Sequence, residues 1–269
     1  MTLTLVCFAH AGGNGALFRS WAARLPSWVT VRAVTLTGRG AMRAFTPLET
    51  WPAVLDHLDH TLADVAESDA PVAVFGHSMG ALIGFEWLQR LRQRRGRQAV
   101  WFGASGTVWP ALREEEDGWL VASASEMVSR LRTRGGTPPA LLDDPAFIDM
   151  LMPVLRADFH LCGVHPAWFR ARWRASCGMH ESSTTDGEYD ATPHDAARLA
   201  PLDCPLTVFV GRDDPATGND EAVRSWSCGT TGRFGIRRFD GGHFFVESAA
   251  EDVMVAIALE LEGCAAHPC

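Results

Sequence analysis

Three separate stretches of this 269-residue sequence carry side chains suited to nucleophilic catalysis. Residues 76–80 read G-H-S-M-G, a pattern that places a serine, here Ser78, on a tight turn between a strand and a helix. Asp213 and Asp214 follow a second apolar stretch, and His243 lies in a glycine-rich loop after a third. The order serine, aspartate, histidine is one of the orders in which a catalytic triad is built.

Each member of such a triad has its own task. Ser78 would attack a carbonyl carbon, while His243 would remove the serine proton and later protonate the leaving group. A carboxylate would fix the tautomer of the imidazole and stabilise its cation. We expect Asp214 to do this because it lies later in its loop, and Asp213 is the alternative. His77 is expected to point away from the serine hydroxyl and to pack in the turn.

The negative oxygen that forms during attack on a carbonyl needs hydrogen-bond donors. Residues 10–15 read H-A-G-G-N-G directly after an apolar stretch, and they lack the Gly-Lys-Ser/Thr ending and the G-x-G-x-x-G spacing of nucleotide-binding loops. A backbone N–H of this loop, together with the N–H of Met79, would form an oxyanion hole.

The apolar pattern predicts the elements that position these residues. Short β-branched and apolar runs alternate with helical patterns, and the runs that we predict as strands are 3–9, 29–36, the run that begins at 72, 99–104, 206–211 and 235–239. This alternation predicts an α/β fold with a mostly parallel central sheet and helices on both faces.

The strand pattern stops between residues 110 and 201. We therefore expect residues 1–110 and 201–269 to form the core of the domain, and residues 111–162 to form a helical insertion placed as a lid over the site. Residues 163–200 are polar, rich in Trp and Arg at first and in Ser and Thr further on, which predicts a mobile loop.

Two Cys-x-x-His pairs in that region, Cys162 with His165 and Cys177 with His180, have a spacing that could hold zinc. We expect no metal, because the pattern stands alone and serine hydrolases need none. The seven cysteines are odd in number and irregularly spaced, which favours reduced thiols over a disulfide framework.

Charge and hydropathy limit the partners. A formal net charge of −8 argues against nucleic acid as a partner. The absence of a long apolar run and of a basic, cleavable N-terminal segment leads us to expect a cytoplasmic protein without a membrane partner, and we expect a monomer. Arginines cluster at residues 92–97, 130–134 and 170–174, as either solvated helix faces or a docking patch.

Six short motifs resemble those of the type II thioesterases of polyketide and nonribosomal peptide assembly lines. They follow in the order CFAHAGG at 7–13, FGHSMGA at 75–81, GGTP at 135–138, LRADF at 155–159, LDCP at 202–205 and GGHFF at 241–245. The resemblance covers most of residues 3–260. The family more often has Pro and an aromatic residue at positions 9 and 10, so the role of His10 is left unassigned.

The resemblance implies an α/β hydrolase fold with a helical lid, a triad of Ser78, Asp214 and His243, and oxyanion donors at the Ala11 and Met79 amides. It also implies hydrolysis of acyl or aminoacyl thioesters on the phosphopantetheine arm of carrier domains, without a cofactor of the enzyme's own. The alternatives are a free-standing carboxylesterase or acyltransferase, and a catalytically silent carrier-binding protein on the same fold.

Overall fold

A six-stranded sheet lies at the centre of the protein. The computed structural model describes residues 2–134, 142–177 and 198–266. The strands are β1 (Leu3–Phe8), β2 (Val29–Val34), β3 (Val72–His77), β4 (Trp101–Ser105), β5 (Leu206–Gly211) and β6 (Phe234–Phe239). Their spatial order is β2-β1-β3-β4-β5-β6, and each neighbouring pair is parallel. The predicted α/β fold with a parallel sheet is confirmed.

The strand order reverses direction beside β1. The chain goes outward from β1 to β2, then returns to form β3 on the other side of β1. In parallel sheets, ligands bind at the carboxyl ends of the strands that flank such a reversal. Phe8 of β1 is in register with Gly76 of β3, so the loops that follow these two strands begin side by side.

Helices cover both faces of the sheet, as expected for parallel strands. They are α1 (Trp51–Thr61), α2 (Ala63–Glu67), α3 (Met79–Arg95), α4 (Ala124–Arg134), α5 (Pro145–Cys177), α6 (Asp220–Arg224), α7 (Phe245–Ser248) and α8 (Ala250–Ala266). Of the helices described, none combines the length and the apolar character needed to cross a membrane.

Helix α5 is longer than the sequence predicts. It contains 33 residues and continues to Cys177, with Pro153 and Pro166 inside it. The prediction of a loop beginning at residue 163 is therefore wrong for residues 163–177, and residues 178–197 lie outside the described part. Packing explains the difference, because Phe169 is fully buried with its ring centroid 5.0 Å from that of Trp109.

The inserted helices have an apolar core of their own. Trp119 and Phe159 stack with ring centroids 4.7 Å apart, and the Arg130 guanidinium lies 3.8 Å from the Trp119 ring centre. This cluster reaches the sheet through Leu155 and Ala11, since Ala11 packs against both this core and one of the two cores beside the sheet. The insertion therefore lies directly on the loop after β1.

A buried ionic cluster joins α3 to α5. Glu86 on α3 accepts hydrogen bonds from Arg172 at 2.5 Å and lies 3.2 Å from Nε2 of His165. Burial lowers the pKa of His165 despite the nearby carboxylate. Burial alone would raise the pKa of Glu86, but Arg172 and His165 outweigh it and hold that pKa below its usual range. The cluster is thus a neutral histidine beside a buried carboxylate–guanidinium pair.

Candidate active site

Ser78 sits in a strained turn between β3 and α3. Its backbone has φ 56° and ψ −117°, and it is the one non-glycine residue with positive φ in the described part of the chain. Gly76 and Gly80 make this turn possible: a Cβ on Gly76 would lie 2.0 Å from the Gly80 oxygen, and one on Gly80 would lie 2.2 Å from the Phe8 oxygen. The glycines let β1, β3 and α3 approach closely, and strain of this kind is typical of a functional site.

The structure brings Ser78, His243 and Asp214 together. His243 Nε2 lies 3.1 Å from Ser78 Oγ, and His243 Nδ1 lies 2.9 Å from Asp214 Oδ2. An ionised carboxylate accepts only, so Nδ1 carries the proton and Nε2 is left to accept the serine hydroxyl hydrogen. The three side chains form a continuous hydrogen-bonded chain from carboxylate to nucleophile.

Only one of the two candidate aspartates contacts the histidine. Asp214 is 3% exposed, and its second oxygen accepts a hydrogen bond from the Ala216 N–H at 3.0 Å. Asp213 is exposed, and its backbone N–H donates to the Gly241 oxygen, which ties the two loops together. The later residue of the pair thus faces the site, and the earlier one has a backbone role.

His77 is buried and packs against the histidine of the site. Its Nδ1 lies 2.8 Å from Ser105 Oγ, and its ring centroid lies 5.2 Å from that of His243. Burial and the neighbouring histidines lower the pKa of His77 well below its ordinary value, so the ring is neutral. A neutral neighbour leaves His243 free to accept a proton without facing a second cation.

The glycine-rich loop after β1 lies across from Ser78. A Cβ on Gly80, at the start of α3, would also lie 2.8 Å from the Ala9 oxygen, so the loop and the helix start are in backbone contact. Among the described residues, neither the Ala11 N–H nor the Met79 N–H donates a hydrogen bond within the protein. Both amides are therefore free to donate hydrogen bonds to an oxygen of a ligand.

Two further groups hold this loop, and sequence reasoning assigned neither. His10 Nδ1 lies 2.9 Å from the Ala11 oxygen, and Asp158 on α5 accepts the Gly12 N–H at 2.7 Å. Arg39 pairs with both oxygens of Asp158, at 2.5 and 2.7 Å. The available signal was a lone carboxylate in the apolar stretch LRADF at 155–159.

The proposed zinc pairs are only partly described. Cys162 is buried, and His165 Nε2 faces Glu86 rather than a cysteine. The side chains of Cys177 and His180 lie outside the described residues. In the part of the chain that the structure describes, no group of three or more His, Cys, Asp or Glu side chains could hold a metal ion.

A serine on a strand-to-helix turn of a parallel sheet, hydrogen-bonded to a histidine and a buried carboxylate, defines the class of α/β hydrolases with a serine-type site. Within that class the chain belongs to the thioesterase domain family, whose model matches residues 3–259. The protein is a thioester hydrolase, and the resemblance in the motifs is confirmed.

Several relatives and solved structures support this assignment. The chain is 32% identical to a probable cadicidin biosynthesis thioesterase of Streptomyces griseus, over 98% of this chain and 64% of the relative. It is 26% identical to the gramicidin S biosynthesis protein GrsT of Aneurinibacillus migulanus, over 96% and 89%. RedJ, a thioesterase of the prodiginine pathway in Streptomyces coelicolor, is 30% identical, with a TM-score of 0.75 over 96% of this chain and 85% of RedJ.

Proposed function

We propose that the protein is an editing thioesterase that hydrolyses acyl or aminoacyl thioesters from the phosphopantetheine arm of carrier domains in a polyketide or nonribosomal peptide assembly line. The hydrogen-bonded chain from Asp214 through His243 to Ser78, in a member of the thioesterase family, carries the proposal. The names of its relatives support the pathway, because they include RedJ, the type II thioesterase BorB of borrelidin biosynthesis and PikA5.

In the first half of the proposed reaction, Ser78 becomes acylated. Its Oγ attacks the thioester carbonyl carbon while its proton passes to His243 Nε2, and Asp214 stabilises the resulting imidazolium. The Ala11 and Met79 amides donate to the oxygen that becomes negative. The intermediate then collapses with cleavage of the carbon–sulfur bond, and the departing thiol of the arm takes the proton from His243.

In the second half, water releases the acyl group. His243 removes a proton from the water, the hydroxyl attacks the ester carbon, and Ser78 recovers its proton from His243 as the free acid leaves. Every proton is shuttled by His243, so this mechanism calls for no cofactor beyond the arm of the partner protein.

We assign residues 111–162, with the rest of α5, as a lid over Ser78. Thiolates leave readily, so access through this lid, rather than the chemistry, would set selectivity. The acidic carrier domain would meet one of the arginine clusters at residues 92–97, 130–134 and 170–174. Arg94, Arg95 and Arg132 already pair with Asp59, Glu67 and Asp143 respectively, so their clusters are less available than the sequence suggests.

The test is hydrolysis of carrier protein loaded with an acetyl group. We expect release by the wild type and a loss of about 10³-fold or more in kcat for Ser78→Ala. Comparison with p-nitrophenyl acetate at equal concentration separates the carrier-directed enzyme from a general esterase, because only the former prefers the carrier. Equal release by wild type and Ser78→Ala, or no release by either, would contradict the proposal.

A further inference from the structure

The peptide unit between Ala11 and Gly12 has a partner at each end. Its carbonyl oxygen lies 2.9 Å from Nδ1 of His10, and its N–H donates to Asp158 Oδ2 at 2.7 Å. A peptide unit held on both sides cannot rotate about its flanking bonds without breaking two hydrogen bonds.

The same peptide is the centre of a tight turn. The Gly13 N–H donates to the His10 oxygen at 2.9 Å, and Gly12 has φ 77°. A positive φ at the third position of a turn is the signature of type II geometry, which differs from type I by the orientation of the central peptide. Gly12 permits the type II form, and the contacts of the central peptide with His10 and Asp158 select that form.

The turn also sets the direction of the Ala11 N–H. That N–H belongs to the same planar peptide unit as the His10 carbonyl, to which Gly13 donates. If the central peptide flipped, ψ of Ala11 and φ of Gly12 would change while the closing hydrogen bond stayed, and the contacts of the peptide with His10 and Asp158 would both be lost. The contacts of Gly12 with Asp158 and of Gly13 with Arg39 anchor the turn as a whole, so the position of the Ala11 N–H within that turn depends on the groups that hold the next peptide.

Asp158 is itself held in place. Its side chain is 1% exposed and that of Arg39 is 6% exposed, and the pair is bidentate. Arg39 also donates to the Gly13 oxygen at 3.2 Å. A planar guanidinium that binds both carboxylate oxygens fixes their direction, so one oxygen is presented to the Gly12 N–H.

His10 holds the other end of this peptide, at the Ala11 oxygen, and its ring is neutral. Burial lowers its pKa, in spite of the Glu247 carboxylate 3.9 Å from Nε2. A neutral ring with the proton on Nδ1 donates to the Ala11 oxygen. The ring is held edge-on against Phe244, with centroids 5.1 Å apart, next to His243 in the chain.

We propose that Asp158 and His10 are positioning residues that orient the oxyanion hole by locking the Ala11–Gly12 peptide, and that Asp158 makes this orientation depend on helix α5. The inference rests on the proposed function, because Ala11 is an oxyanion donor only there. Asp158 lies 146 positions along the chain from Gly12, so the inserted helix, and not the sheet, completes this side of the site.

The experiment measures kcat and KM on acetyl-loaded carrier protein, together with the affinity for 3-butylthio-1,1,1-trifluoropropan-2-one. This ketone forms a tetrahedral oxyanion with an active serine, so its binding reports on the oxyanion hole. We expect Asp158→Ala to lower kcat by about 10- to 100-fold, less than the loss of a whole oxyanion donor, with KM changed by less than about threefold. Affinity for the ketone should fall by the same factor as kcat.

A pair of substitutions at His10 provides the readout that a purely structural role would not move. His10→Asn places an amide N–H close to the position of Nδ1, whereas His10→Ala removes the donor. We expect His10→Asn to retain most of kcat and of ketone affinity, and His10→Ala to lose about tenfold in both. Asp149→Asn, an exposed carboxylate on the same helix, is the control and should match the wild type.

The outcomes separate the inference from the proposed function. Unchanged kcat and ketone affinity in His10→Ala and Asp158→Ala, with only a lower melting temperature, would overturn the inference while leaving the triad intact. If Asp158→Ala does not fold, the two His10 variants decide the question. Carrier hydrolysis that survives in Ser78→Ala would instead overturn the proposed function.

Discussion

The two sides of the active site are held in different ways. Ser78, His243 and Asp214 each follow a strand of one parallel sheet, and their positions depend on the register of β3, β5 and β6 and on short loops. The loop that carries Ala11 also follows a strand, but its conformation is held by Asp158 from the inserted helix α5. The side with Ser78, the proposed nucleophile, is built into the sheet, and the side with Ala11, the proposed oxyanion donor, is shared with the insertion.

This difference separates two kinds of sensitivity. A change on the nucleophile side disturbs either the proton transfer or the packing of the sheet itself. A change in α5 acts on the site only through a few contacts at the loop after β1. If the insertion acts as the proposed lid, contacts of that kind would let it influence reactivity while the core of the domain stays folded.

The largest expected effect is a loss of kcat when the carboxylate of Asp214 is replaced. Asp214→Asn cannot accept the His243 proton in the same way and favours the wrong tautomer, so we expect kcat to fall by about 10³- to 10⁴-fold. Asp213→Asn is the matched control, because Asp213 contributes its backbone N–H and its side chain is exposed. The measurement is kcat on acetyl-loaded carrier. Equal losses in the two variants would show that the neighbouring contacts, and not the carboxylate at His243, matter.

A smaller effect, on the free energy of unfolding, is expected where the backbones of β1 and α3 approach closely beside Ser78. A Cβ on Gly80 would lie 2.2 Å from the backbone oxygen of Phe8, so Gly80→Ala should lower the free energy of unfolding by roughly 3 kcal/mol or more. In Gly263→Ala, on α8, the new Cβ would meet only Arg233 at 3.8 Å, and helix propensity should stabilise the protein by about 0.5–1 kcal/mol. Urea unfolding measures both, and a Gly80→Ala protein as stable as the wild type would contradict the close packing of β1 on α3.

The smallest expected effect concerns pH and the contact between α3 and α5. His165 is fully buried, and burial lowers its pKa from the ordinary value near 6.5. The unfolded chain then binds a proton that the folded protein does not, so stability rises with pH below about 6.5 and is fully present above it. His165 should therefore lower the stability of the protein on going from pH 7.5 to pH 5.5.

The variant His165→Gln removes this titration. Its unfolding free energy should depend less on pH over that interval than that of the wild type. Urea unfolding at the two pH values measures the difference. Parallel pH dependences in the wild type and His165→Gln would show that folding does not lower the pKa of this histidine.

The features that local patterns determine were predictable from the sequence. The run that begins at Val72 and the turn around Ser78 follow from apolar periodicity and from glycines at fixed spacing. The structure places Asp214 and His243 at the ends of β5 and β6, as the pattern predicts, and brings both to Ser78. Because the strands are parallel, the loops that follow them lie at the same edge of the sheet, so their proximity can be predicted from the strand pattern alone.

Features that depend on which surfaces meet were not predictable. Nothing near Asp158 in sequence indicates that it pairs with Arg39 or holds Gly12, because both partners lie more than a hundred positions away. The length of α5 was missed for the same reason: the polar residues favour a loop, and the burial of Phe169 that stabilises the helix is a tertiary contact.

The most direct test of the account is to label the protein with a fluorophosphonate and locate the modified residue by peptide mass spectrometry. The account predicts a label on Ser78 that forms rapidly in the wild type and in Asp213→Asn, slowly in Asp158→Ala, and more slowly still in Asp214→Asn. The order follows because the reagent needs both an activated serine and an oriented oxyanion hole. Labelling of a different residue, or equal rates in all four proteins, would contradict it.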